Sequence, residues 1–165
     1  MELVIRQTYT IKASPADVWR ALTDPKEIQE WSGANASFVP VAGARYTLWS
    51  GDIGGKIVEA VPEKKLVQTW KPESWTREDS VVTFTLTWMK DGTRVDLLHE
   101  DVEESDFAGT TEGWDIYYLG AIKKMLEARG AKEAKAEGRK QKTGAKKAKA
   151  KSGKKPAKKK STGKK

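Results

Sequence analysis

"TTEGWDIYYLGAIKKMLEARG", Thr110–Gly130, is the stretch on which the fold turns. Trp114, Tyr117, Tyr118, Ala121, Ile122, Met125 and Leu126 recur at spacings of three and four, which gathers them on one face of a helix. Thr110 or Thr111 is placed to cap its start, and Gly130 to end it. A helix with one apolar stripe needs an apolar surface to cover. The preceding sequence supplies it. In "SVVTFTLTWM", Ser80–Met89, Val82, Phe84, Leu86 and Trp88 point one way, while Val81 and three threonines point the other. That is the alternation of a strand with one face packed. "TRVDLLHE", Thr93–Glu100, follows after Lys90-Asp91-Gly92, and the Asp-Gly pair is a hairpin signal.

Further out, "ARYTLWS" (Ala44–Ser50) and "GKIVEAV" (Gly55–Val61) flank the glycine-rich "GDIGG", which suits a hairpin turn. "KLVQTW" (Lys65–Trp70) reads as another strand, and "LVIRQTYTI" (Leu3–Ile11) as the first. Two helix starts lie between. In "SPADVWRAL", Ser14 is a good cap and Pro15 takes the first helical position; in "TDPKEIQEW", Asp24 or Thr23 caps and Pro25 follows. The predicted order is strand, two short helices, a run of antiparallel strands and one long helix. This is an α+β helix-grip arrangement, a curved antiparallel sheet wrapped around a C-terminal helix.

Charge divides the chain. Residues 131–165 hold 16 Lys and Arg against 2 acidic residues, a net +14, which leaves the first 130 residues with 15 basic and 21 acidic, a net −6. The expected domains are therefore a folded body, 1–130, and a Lys/Ala-rich tail, 131–165. The tail has too little apolar surface to offset about 1–2 kcal/mol of backbone entropy per residue, so it is expected to be disordered. Cysteine is absent, which excludes disulfides, thiol nucleophiles and cysteine metal sites. No apolar run reaches signal-peptide or membrane-span length, so a cytoplasmic protein is expected. No Walker loop, nucleophile elbow or dinucleotide fingerprint is present; "GDIGGK" lacks the phosphate-loop spacing and joins two strands.

The residues go further than the order of elements. "IKASPADVWRALTDPKEIQEW", "GARYTLW", "GGKIVEAVPEKKLVQTW", "GTRVDLLHE" and "EGWDIYYLGAIKKMLE" resemble the family of the heat-shock-protein-90 ATPase activator C-terminal domain, within the SRPBCC or START-like superfamily. The resemblance covers 2–129 and does not extend to the lysine tail. It implies a cavity between sheet and long helix. It implies no single activity, because the superfamily includes ligand carriers, cyclases and co-chaperone domains.

Trp31, Trp49, Trp70, Trp88, His99, Trp114 and Tyr118 are candidate cavity residues, with Trp19 and Trp114 the more core-like of the tryptophans. Either they line a pocket or they fill the core of a curved sheet. Trp75, in the loop "KPESWTRED", reads as a lid or an exposed contact. His99, the sole histidine, falls on the inward face with Val95 and Leu97; it is a general-base candidate or a satisfied core residue. It has no second histidine to complete a zinc site, and no metal or cofactor is expected. "HEDVEESDF" lacks calcium-loop spacing and reads as a solvated acidic loop. In the tail, Lys146, Lys147, Lys149, Lys151, Lys154, Lys155, Lys158, Lys159, Lys160, Lys164 and Lys165 offer point charges without the planar fork that reads bases. They suit sequence-independent contact with nucleic-acid phosphates, or with another polyanion, and would draw the protein to the nucleoid. The functional expectation is a non-catalytic START-like module that binds a small hydrophobic ligand or a protein partner, with a tail that binds nucleic acid. The alternatives are a co-chaperone that activates the heat-shock protein 90 ATPase and a cavity enzyme of the cyclase or hydrolase type.

Overall fold

The computed structural model describes the backbone of residues 2–152 and the side chains of residues 2–138. Its contacts divide it into two units, Met1–Gly130 and Ala131–Lys165, and the sheet belongs to the first. Seven strands pair antiparallel: β1 (Ile5–Ile11), β2 (Arg45–Leu48), β3 (Ile53–Val61), β4 (Lys65–Thr69), the two-residue β5 (Lys71–Pro72), β6 (Val81–Met89) and β7 (Gly92–Glu100). The order is β1-β7-β6-β4-β3-β2, with β5 beside β3. The first strand therefore lies against the last, in a register running from Ile5 opposite His99 to Ile11 opposite Thr93.

The helices are α1 (Pro15–Thr23), α2 (Pro25–Ser32), α3 (Phe107–Gly113) and α4 (Leu119–Ser152), with a π turn, Trp114–Tyr118, joining α3 to α4. Both short helices start as their residues dictate. The Ser14 hydroxyl accepts the Asp17 backbone N–H at 3.1 Å, and the Asp24 carboxylate accepts that of Lys26 at 2.9 Å. Each cap is followed by a proline whose missing N–H costs the helix nothing there. Gly33 ends α2 in the left-handed conformation that glycine adopts without strain.

The core lies on the inner face of the sheet. Leu66, Val82, Phe84, Leu86, Val95 and Leu97 are buried there against Trp114, Tyr118, Leu119, Ile122 and Leu126 of the C-terminal helical segment. Each such side chain contributes roughly 1.5–3 kcal/mol relative to exposure. The Arg129 guanidinium bonds both Glu27 carboxylate oxygens, at 2.8 and 3.1 Å, and ties the late turns of the apolar stripe to α2.

Four expectations need correction. The turn after β2 is Trp49–Asp52 rather than "GDIGG", and Gly54 and Gly55 lie within β3. A Cβ at Gly55 would stand 2.2 Å from the Thr69 carbonyl oxygen, so close strand approach, not turning, is what requires that glycine. The long helical segment starts at Phe107, before Thr110 and Thr111, because the acidic turn Glu104–Asp106 leads into it and acidic groups suit a helix start. Gly130 does not stop α4, Leu119–Ser152; one glycine costs about 1 kcal/mol in a helix otherwise rich in Ala and Lys. Trp88 keeps the inward parity of Phe84 and Leu86 but is 73% exposed, because β6 runs past the part of the sheet that the helices cover.

Candidate ligand cavity

The C-terminal helical segment is not uniformly α. At Trp114–Tyr118 one residue is accommodated in a π turn, a feature common at functional sites. Gly120 permits it: a Cβ there would lie 1.7 Å from the Asp115 carbonyl oxygen. The turn sets Trp114 and Tyr118 together against the sheet, with ring centroids 4.6 Å apart. Opposite them, the tight turn after β2 holds Trp49 and Ser50 at φ of 46° and 54°. Non-glycine residues reach that region only when the surroundings enforce it, and such strain gathers at functional sites. The Trp49 ring stands 5.7 Å from Tyr118 and 5.8 Å from Trp31, and Trp70 stands 4.8 Å from Trp114.

These rings wall a cavity of about 680 Å³, lined by Trp49, Ile53, Trp70, Pro72, Trp114, Tyr117 and Tyr118, with Asp52, Glu73 and Asp106 among its polar residues. The volume lies within the span of about 300–1,000 Å³ typical of small-molecule sites. The segment after β5 forms one side of it. Trp75 is neither exposed nor free to swing. It is 4% exposed, its indole N–H donates to the Asp106 carboxylate at 2.9 Å, and its ring stacks on His99 at 5.9 Å and 17°. The Glu103 carboxylate accepts the backbone N–H groups of Thr76 and Arg77, at 3.1 and 3.2 Å, which holds it below the usual carboxylate range. The acidic stretch read as a solvated loop is thus the anchor of this strap.

His99, expected at the cavity, is instead fully buried beside Trp114 and does not line it. The Trp114 indole N–H donates to its Nδ1 at 3.1 Å, and its Nε2 is 2.7 Å from the Ser80 hydroxyl. An indole can only donate, so Nδ1 accepts, the proton sits on Nε2, and Ser80 passes its own hydrogen to the Glu100 carbonyl at 3.2 Å. Burial lowers the imidazole pKa to about 3. A neutral ring with both nitrogens engaged is a core fitting, and it offers no free base to the cavity.

A polar feature that the sequence reading missed lies deeper. Gln68 faces inward from β4 with no exposure, and neither its Oε1 nor its Nε2 has a hydrogen-bond partner; the buried Tyr118 hydroxyl has none either. Burial pushes the Tyr118 and Tyr46 hydroxyl pKa values well up, and the nearby Gln68 amide offsets this only in part, without ideal hydrogen-bond geometry to either. Tyr46 instead donates to the Thr69 carbonyl at 2.5 Å. The signal was present in "KLVQTW": Gln68 shares parity with Leu66 and Trp70 on a packed face, where a polar residue is the informative exception.

Of the residues singled out from sequence, Trp49, Trp70, Trp114 and Tyr118 meet at the cavity. Trp31 backs Tyr118 at 4.6 Å and donates its indole N–H to the Ala21 carbonyl at 2.8 Å. Trp19 is buried in the core. Trp88 is far out on the exposed end of β6, so its expected place in the cavity is withdrawn. Lys146, Lys147, Lys149 and Lys151 lie in the helical backbone of α4, while Lys154, Lys155, Lys158, Lys159, Lys160, Lys164 and Lys165 lie outside the described residues. Among the described residues, no group of three or more His, Asp or Glu is placed to hold a metal ion, and no helix is long and apolar enough to cross a membrane.

Comparison with known proteins places this geometry. An HSP90 activator from Plasmodium falciparum has the same fold, with a TM-score of 0.68 and 26% identity over 77% of this chain and 96% of that one. A Mesorhizobium loti protein matches with a TM-score of 0.67 and 27% identity, over 76% and 98%. In sequence, the human activator of 90 kDa heat shock protein ATPase homolog 1 is 26% identical over 127 residues, 76% of this chain but 37% of that protein. The chain thus corresponds to little more than a third of that curated relative. The sequence model described as activator of Hsp90 ATPase homolog 1-like protein matches residues 12–127, most of the folded unit, and this chain belongs to that family.

Proposed function

We propose that the folded unit is a non-catalytic binding module that takes a small, largely apolar ligand into the cavity between sheet and helix. The observation that carries this reading is the aromatic-walled space of about 680 Å³ between the π turn and the strained Trp49–Ser50 turn. The neutral, doubly engaged His99 supports binding rather than acid–base chemistry. Native mass spectrometry of freshly purified protein tests it. The expected result is a retained or readily titrated small molecule that is lost when Trp114 and Trp70 are cut back to Leu; a cavity that takes up nothing from a broad set of apolar compounds refutes it.

The basic segment acts separately in this proposal, through phosphate backbones. With 16 Lys and Arg in residues 131–165 and about half engaged, the log–log salt dependence on duplex DNA is expected to be roughly −5 to −8, at about −0.9 per phosphate. Residues 1–130 alone should show none. A second reading follows from the names of the relatives. If the folded unit acts on a heat-shock protein 90 chaperone, stoichiometric addition should raise that chaperone's ATPase rate; an unchanged rate rejects it.

A further inference from the structure

The charge on the cavity lining is all of one sign. Among the described residues it holds three carboxylates, Asp52, Glu73 and Asp106, and no lysine, arginine or histidine. The fold brings two of them together. The Trp49 carbonyl accepts the Asp52 backbone N–H at 3.0 Å, and the Asp52 carbonyl accepts that of Glu73 at 2.8 Å. The strained turn after β2 therefore gives the cavity an indole and a carboxylate within three residues, with a second carboxylate on the adjoining chain. Asp106 is already engaged, its Oδ2 accepting from the Trp75 indole at 2.9 Å and from the Thr110 hydroxyl at 3.3 Å. Asp52 and Glu73 are exposed at the rim, and neither belongs to an ion pair among the described residues. A cleft with low-dielectric walls and one sign of charge concentrates the field in its mouth. Aromatic faces carry the negative part of the ring quadrupole and attract a cation within about 6 Å. The carboxylates and the ring faces thus favour the same charge on a guest.

Resting on the ligand-binding reading above, we propose that the ligand is an organic monocation: an apolar skeleton that carries one protonated amine or quaternary ammonium group. The skeleton fills the space among Trp49, Trp70 and Trp114. The cation stays at the rim, beside Asp52, Glu73 and the Trp49 ring. Because both carboxylates are exposed, the cation keeps part of its water and escapes the desolvation cost that opposes buried ion pairs. An anion of the same shape meets like charge, so a fatty acid or a phosphate ester is the wrong class. A neutral skeleton binds by apolar burial alone.

Three probes on one skeleton test this: 2-naphthylmethylamine, 2-naphthylmethanol and 2-naphthoate, titrated into the full chain at pH 7 by calorimetry. The amine is expected to bind about tenfold more tightly than the alcohol at about 0.01 M salt and about threefold at about 0.15 M, as screening shortens the reach of the rim charges. The carboxylate should bind most weakly. Asp52→Asn with Glu73→Gln keeps the shape of two exposed side chains, so the variant should fold, as thermal unfolding will report, and its low-salt ratio of amine to alcohol should fall to about twofold or less. Glu63→Gln with Asp91→Asn removes two exposed charges in turns outside the lining and should leave the ratio as it is. A ratio that stays near its wild-type value in the rim variant, that falls as far in the control variant, or that ignores salt overturns the inference. So does carboxylate binding as tight as that of the amine. Equal binding of amine and alcohol by wild type overturns it too and leaves the cavity reading standing. Failure of all three probes removes the cavity reading, and this inference with it.

Discussion

Lowering the pH from 7 to 5 is expected to remove about 2 kcal/mol of stability through His99 alone. The folded protein holds this imidazole neutral, its pKa lowered by burial from 6.5 to about 3. In the unfolded chain it takes up a proton near the ordinary value. Below that value the unfolded state binds more protons than the folded one. Stability is therefore complete above pH 6.5 and is lost as the pH falls toward the folded value. At about 1.4 kcal/mol per pH unit, the loss is about 2 kcal/mol between pH 7 and 5 and approaches about 4–5 kcal/mol near pH 3. His99 is the sole histidine, so the upper part of this window is separated from carboxylate titration. Urea unfolding followed by tryptophan fluorescence at half-unit steps from pH 7.5 to 5 measures it. His99→Gln should flatten the profile over that range, whatever it does to stability at pH 7. A wild-type profile flat across pH 5–7, or the same slope in His99→Gln, would show that the ring is hydrated and that the Trp114–His99–Ser80 chain does not hold it neutral.

Other perturbations bear on the rest of the site. Gly120→Ala sets a Cβ 1.7 Å from a backbone oxygen that cannot step aside cheaply, so it should cost upward of about 3 kcal/mol or shift the helical register; an unchanged melting temperature by circular dichroism rejects the role given to the π turn. Asp106→Ala leaves the buried Trp75 indole N–H without its acceptor and should cost about 1–3 kcal/mol, with increased acrylamide quenching of tryptophan as the strap loosens. Trp88→Thr should change stability by no more than about 0.5 kcal/mol, given its exposure; a large loss in urea titration would mean the exposed end of β6 is covered in solution.

The elements were legible because each is written in local spacing. The three-and-four rhythm from Trp114 to Leu126 and the alternation from Val82 to Leu86 need no partner to be recognised. The Ser14-Pro15 and Asp24-Pro25 starts are also local, since cap and capped N–H lie two or three residues apart. That pattern, with the motifs that carry the family resemblance, determined a sheet gripping a C-terminal helix. What tertiary structure alone decided are the relations among residues far apart in the chain. Trp88 and Phe84 have the same parity, yet only one lies under the helices, because coverage depends on where each strand ends relative to the helix above it. Trp75 reads as a loop residue until Asp106, 31 positions away, accepts its indole N–H. His99 could have been a base or a core residue, and the choice rests on Trp114 and Ser80 occupying its two ring nitrogens. Gln68 is one polar letter in an apolar run; only the packing over the inner face of β4 leaves its amide without exposure. Sequence spacing encodes which way a side chain points along its own element, and it holds no record of what stands opposite.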